Sequence, residues 1–211
     1  MRTAFVVALL LGSVALAGAQ PGKDPPPVVI SKDPEPRYNV RARVKQFPQG
    51  TPKEALKSVL AAVEQNDYAY LVAQLLDPKF VDAAATERAK EFVPGAEAQL
   101  AQLREFQRAN AAKIDPASRV PLDPVAFRAV AANKARELGF KQLLKDVEQK
   151  LIDDPQVLKD FRKIAREGSF ADADPAASAT HPDVKGRALY FKKVGDRWYL
   201  ENRLGEEKKD P

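Results

Sequence analysis

His181 is the only histidine of the chain, and it lies in Ala179-Thr180-His181-Pro182. A histidine works as a general base only with a nucleophile or a carboxylate within hydrogen-bond reach. Ser178 and Asp183 are near in sequence, but neither stands in a nucleophile-elbow pattern. His181 therefore reads as a loop residue. Paired carboxylates, the tools of glycoside hydrolysis, occur at Asp153-Asp154 and Glu206-Glu207. The first pair precedes Pro155 and suits a helix cap; the second lies in a charged tail. Asp172-Ala173-Asp174 starts like a calcium loop but lacks the later Gly and Glu, so it reads as a turn. The chain has no cysteine, which removes disulfides, thiol catalysis and thiolate metal sites. No phosphate-cradling glycine loop and no nucleic-acid motif is present. We assign no catalytic residue, no metal ligand and no cofactor, and the residues point away from catalysis.

Binding is the better-supported chemistry. Residues 185–194 and 197–204 alternate apolar and polar side chains on either side of Gly195-Asp196, a pair suited to a two-residue hairpin turn. If Val194 opposes Arg197, Leu189, Phe191, Trp198 and Leu200 share one face, and Tyr190, Lys192, Val194, Arg197, Tyr199 and Glu201 share the other. The apolar face should meet helices. Tyr190, Lys192, Arg197 and Tyr199 are the binding candidates, because tyrosine and arginine are enriched where partners dock.

Several helices must support that hairpin. Thr51-Pro52-Lys53-Glu54 carries a cap, a first-turn proline and a capping-box glutamate. Leu56, Val59, Leu60 and Val63 then recur at helical spacing. Asp67 suits the cap of a second helix bearing Tyr68, Leu71, Val72 and Leu75, which stops at Asp77-Pro78. Residues 79–112 read as helix, broken near Pro94-Gly95; Asn110 to Pro121 reads as loop. A helix from Asp123-Pro124 should bend at Gly139, and another opens at Asp154-Pro155 and ends near Gly168. Residues 170–182, rich in Ala, Asp, Ser and Pro, read as a loop. Residues 37–46 alternate Tyr38, Val40, Ala42 and Val44 with Arg41, Arg43 and Lys45, the period of a strand whose basic face is a charged outer or edge surface. The expected fold is α+β and helix-dominated, with a small antiparallel sheet made of strand 37–46 and hairpin 185–204 packed on the helices.

The ends of the chain give an address. Arg2 precedes an apolar run from Ala4 to Leu16, and Ala17-Gly18-Ala19 supplies small residues before Gln20, the pattern of a signal peptide over residues 1–19 cut between Ala19 and Gln20. The run is shorter than the ~20 residues of a spanning helix. With no cysteine after the cut, no lipid can attach through a thiol. The reading is a secreted or periplasmic protein, soluble after cleavage. Residues 20–36 are a proline-rich linker, 37–204 a single domain and 205–211 a flexible charged tail. The net charge of +5 is spread over mixed-sign helices, so it favours anionic surfaces only weakly.

Two segments resemble a known group. Thr51-Pro52-Lys53-Glu54-Ala55-Leu56-Lys57 followed by Asn66-Asp67-Tyr68 looks like the opening helices of the NTF2-like (cystatin-like) α+β superfamily, and Val194-Gly195-Asp196-Arg197-Trp198-Tyr199-Leu200 resembles its closing hairpin. The chain as a whole resembles exported bacterial proteins of planctomycete type. The resemblance implies a sheet curved against helices; the group has several long strands where residues 79–167 here read as helix, so either a helical insertion replaces part of the sheet or the likeness is local to the two segments. No catalytic motif of the group has a counterpart here. The favoured function is an exported, non-catalytic module that binds an unidentified protein or small molecule. Two other readings stand beside it: a small-pocket NTF2-like enzyme using Tyr and Asp as acid–base groups, and an envelope-associated protein held by charge on an anionic polymer.

Overall fold

The computed structural model describes residues 35–203. The signal segment, most of the linker and the 205–211 tail lie outside them. Helix α1 spans Pro52–Glu64 and starts as its sequence demands: the Glu54 N–H donates to Thr51 Oγ1, and the Thr51 N–H donates to the Glu54 carboxylate, each at 3.1 Å. A short helix α2, Tyr68–Tyr70, is capped by Asp67 and runs on as a π-helical turn, Leu71–Leu75. Two long helices follow, α3 (Pro78–Ala109) and α4 (Pro124–Asp153), and then α5 (Pro155–Glu167). The chain closes with four strands, β1 (Ser169–Ala173), β2 (Ala176–Thr180), β3 (Leu189–Val194) and β4 (Arg197–Leu200). They form an antiparallel meander in the order β1-β2-β3-β4. The architecture is α+β, dominated by helices, with a small antiparallel sheet.

The β3–β4 hairpin has the expected register, with Val194 opposite Arg197 and Phe191 opposite Leu200. Gly195, at φ +60°, supplies the left-handed turn residue. Leu189, Phe191, Trp198 and Leu200 are buried in one core with Phe47, Leu56, Tyr70 and Ile164. This core joins the sheet to α1 and α5.

The other strand pair corrects two expectations. Residues 37–46 do not form a strand. Arg37 and Val40 exchange backbone hydrogen bonds of 3.1 and 2.8 Å across Tyr38 and Asn39, both at positive φ. The chain reverses there, so alternation cannot continue, and among the described residues no neighbouring strand takes up its backbone groups. Arg41, Arg43 and Lys45 accordingly do not stand in a row. Arg43 instead lies over the rings of Tyr70 and Phe47 and pairs with Asp67. The second half of the sheet comes from the segment read as a loop: β1 and β2 pair over Ser169↔Thr180 to Ala173↔Ala176, and β2 pairs with β3. Their residues have little strand propensity, and pairing to β3 together with burial of Ala177 and Ala179 under the core holds them extended.

The break expected near Pro94-Gly95 does not occur. α3 runs through Pro94, which forgoes one helical hydrogen bond. α4 runs through Gly139, and there the glycine meets α3. A Cβ there would lie 2.3 Å from the Ala85 carbonyl oxygen and 2.8 Å from the Ala89 nitrogen. Ala85, Ala89 and Ala96 on α3 are buried, as are Ala131 and Ala135 on α4, so small residues let the two backbones approach closely along their length.

Candidate functional site

The meander presents a second face away from the core, and cross-strand register assembles it. Ala171, Ser178 and Tyr190 lie in one row across β1, β2 and β3; Ala173, Ala176, Lys192 and Tyr199 form the next across all four strands. The β1–β2 half is therefore a floor of small side chains. Tyr190 and Lys192 rise beside it, both half-buried. The Arg203 guanidinium sits 5.6 Å from the Tyr190 ring centroid and is paired with Glu201 at 2.6 Å. The arrangement offers an aromatic wall and an ammonium beside an uncluttered strip of backbone and methyl groups. Such a surface can hold an extended or anionic group by stacking and charge.

The four candidates do not form one exposed patch. Tyr199 is only 6% exposed, under the Arg197 guanidinium at 5.2 Å. Arg197 is turned inward onto Gln49 and Gln74. Its Nε donates to Gln49 Oε1 at 2.9 Å, a second N–H reaches the same oxygen, and another reaches the Gln74 carbonyl at 3.3 Å. The Gln49 amide donates to the Trp198 carbonyl at 2.7 Å and to the Gln74 carbonyl at 3.1 Å. Gln49 and Gln74 are each 1% exposed. A buried polar network with its partners satisfied fixes geometry. This one ties β4 to the segment before α1 and to the π turn, which closes the outer edge of β4. Trp198 N also donates to the Gln49 carbonyl at 2.8 Å, and Asp77 N to the Leu200 carbonyl at 2.9 Å. Of the four candidates, Tyr190 and Lys192 stay open on the outer face.

Two groupings lay outside the sequence reading. Asp82 on α3 gathers three partners: the Tyr38 hydroxyl donates to it at 2.8 Å, and Arg37 and Arg136 approach at 3.0 and 3.3 Å. The Tyr38 ring stacks on Phe140 at 4.1 Å. Burial first, and then the hydrogen bond and charge of Asp82, push the Tyr38 hydroxyl pKa up, so it stays a protonated donor. This cluster clasps the 37–40 turn to α3 and α4. Only the acid–aromatic pairing across 44 residues could have signalled it, and that spacing carries no local pattern. The second grouping is a shallow depression of about 610 Å³ between α3 and α4, lined by Glu87, Arg88, Glu91, Phe92, Gln142 and Asp146. Arg88 and Asp146 pair there at 2.8 Å. Partial burial works against the Asp146 carboxylate, but Arg88 and Gln142 outweigh it and hold its pKa below the ordinary value.

The remaining sequence candidates take structural places. His181 is 8% exposed and its Nδ1 accepts from the Asp183 N–H at 3.1 Å. Its Nε2 lies 3.6 Å from Glu167, and Ser178 is on β2 rather than beside it. Asp183 instead meets Lys163 at 2.5 Å, and this hydrogen bond and charge lower its pKa. Asp174 sits in the β1–β2 turn and binds Lys193 at 2.8 Å. Asp154 occupies the cap position of α5, yet its side chain caps nothing and faces Arg187 at 3.4 Å; Asp153 accepts from Gln149 at 2.7 Å. Among the described residues no three acidic or histidine side chains are placed to hold a metal ion, and no helix is long and apolar enough to cross a membrane. Set against known protein families, curated proteins and solved structures, the chain matches none.

Proposed function

We propose that this chain is an exported, non-catalytic binding module whose contact surface is the outer face of the sheet, with Tyr190 and Lys192 as its anchors. One observation carries the reading. Tyr190 and Lys192 stand half-buried at the border of a strip of small β1 and β2 side chains, in register with them. A stiff aromatic and a cation beside a flat strip bind an extended, acidic segment at low ordering cost. Export is supported by Arg2, the apolar run after it and Ala17-Gly18-Ala19. Kinship with the NTF2-like group belongs to the same proposal and is supported by the capped α1, the Asp67 break and the Gly195-Asp196 turn.

The test is capture of partners from the producing cell's envelope and medium by immobilised mature chain, beside a Tyr190→Ala/Lys192→Glu variant. A partner retained by the first and lost by the second is expected. Equal retention by both would remove the sheet face from the function, and native material still carrying its first nineteen residues would remove export.

A further inference from the structure

The α3–α4 hairpin extends well beyond what its junction with the sheet requires. Its first half packs on the rest of the protein: Val81, Ala85, Phe140 and Leu143 share a core with Val72 and Ala73 of the π turn. Among the described residues its far half packs on itself, with Ala89, Ala96, Leu100, Val120, Ala131 and Ala135 forming a separate core. Helices of 32 and 30 residues reach roughly 45 Å. The far end is a tip made of the end of α3, the connection and the start of α4.

That tip is greasy and basic together. Among the described residues, five of the eight exposed large apolar side chains lie between 103 and 130. Leu103 and Phe106 are 42% and 61% exposed, and Leu122 and Val125 are 73% and 75% exposed. Scattered exposed apolar residues need no explanation, but a cluster at one end does. The same stretch carries Arg104, Arg108, Lys113, Arg119 and Arg128 against Glu105, Asp115 and Asp123; Arg104 lies over the Phe127 ring and Arg119 donates to the Ala111 and Ile114 carbonyls, which leaves Arg108, Lys113 and Arg128 facing outward. The acids are engaged: Asp115 and Asp123 cap their own helical turns at 3.0 and 2.7 Å, and Glu105 faces Arg108 at 3.4 Å. The surplus of charge at the tip is positive.

We infer that the hairpin tip docks on an anionic phospholipid surface, burying Phe106, Leu122 and Val125 among the head groups while Arg108, Lys113 and Arg128 meet lipid phosphates. The patch is a protrusion, not a groove. A protein partner would have to offer a matching socket, whereas a bilayer deforms around a knob anywhere. A second copy of the chain would bring two basic collars face to face, which like charge opposes. Apolar insertion joined to basic contacts is how proteins rest in the interfacial layer without crossing it, at a depth of about 5–10 Å.

The experiment is co-sedimentation of the mature chain with vesicles of phosphatidylglycerol and phosphatidylcholine, and with vesicles of phosphatidylcholine alone. Binding to the first and not the second is expected, weakening as salt rises. Phe106→Ser/Leu122→Ser/Val125→Ser should lower affinity about tenfold or more, each tenfold being about 1.4 kcal/mol. Lys113→Glu/Arg128→Glu should abolish the preference for the charged vesicles. These side chains are on the surface, so thermal melting should stay unchanged; if the triple variant unfolds, Phe106→Ala alone reads the same loss more mildly. The Tyr190→Ala/Lys192→Glu variant should bind vesicles like the parent, which separates this inference from the sheet-face reading. Failure of the parent chain to sediment, undiminished binding by the apolar variants, or a concentration-dependent dimer that those variants abolish would each overturn it.

Discussion

In the sheet body the buried side chains are large: Phe47, Leu56, Tyr70, Ile164, Phe191 and Trp198. In the far half of the helical arm the fully enclosed positions are mostly alanine, with Gly139 just below them, and its aromatic residues Phe92 and Phe127 sit at the margin. The body gains its stability by removing bulky apolar surface from water, about 25 cal/mol for each Å². The arm removes less surface per residue and depends on two backbones lying close, where one added methyl has nowhere to go. The difference bears on function too. A body that hides its large side chains leaves a mostly polar exterior, while an arm that spends alanines inside has its large side chains left over for the tip.

Three measurements would sharpen or break that contrast. Phe191→Ala, at 1% exposure in the body core, should cost about 3–5 kcal/mol in urea unfolding, since it deletes a ring and leaves a cavity. A much smaller loss would mean the sheet is not clamped on α1 and α5 as described. Gly139→Ala is the corresponding test in the arm. Alanine favours a helix over glycine by about 1 kcal/mol, but its methyl meets backbone atoms of Ala85 and Ala89, and overpacking of this kind costs about 1–3 kcal/mol. Net destabilisation is expected, with faster amide exchange confined to α3 and α4; a gain in stability would show that the helices do not touch there. The smallest effect concerns acid. The Asp146 carboxyl titrates below its unfolded value, so its contribution is present above that value and is lost as pH falls through the lower, folded one. Arg88→Met should therefore cost under about 1 kcal/mol at neutral pH, as for a solvent-accessible pair, and the difference from the parent should shrink as acid protonates the carboxylate. A gap that persists in strong acid would assign the loss to packing of the arginine stem instead.

Much of the helical framework was legible because its signals are local. Thr51, Asp67, Asp77 and Asp123 each accept a hydrogen bond at a helix start, as short polar residues before such runs do. The β3–β4 register followed from a two-residue turn and a period of two, so the core face of Phe191 and Trp198 could be named in advance. The site was less legible. Tyr190 and Lys192 lie on the face that alternation assigns to them, but Tyr199 on that same face is covered, and the arginine beside it is held by glutamines 148 and 123 positions away. Alternation tells which way a side chain leaves the sheet and says nothing about what then covers it.

From the residues alone came the capped helices, the closing hairpin and the absence of thiol chemistry, because each rests on neighbours within a few positions or on composition. Only the folded chain decided that Ser169–Thr180 pairs as strands, that the backbone reverses at Tyr38 and Asn39, and that Gly139 lies against α3. Those outcomes depend on partners distant along the chain, whose attraction outweighs weak local preference once packing brings them together.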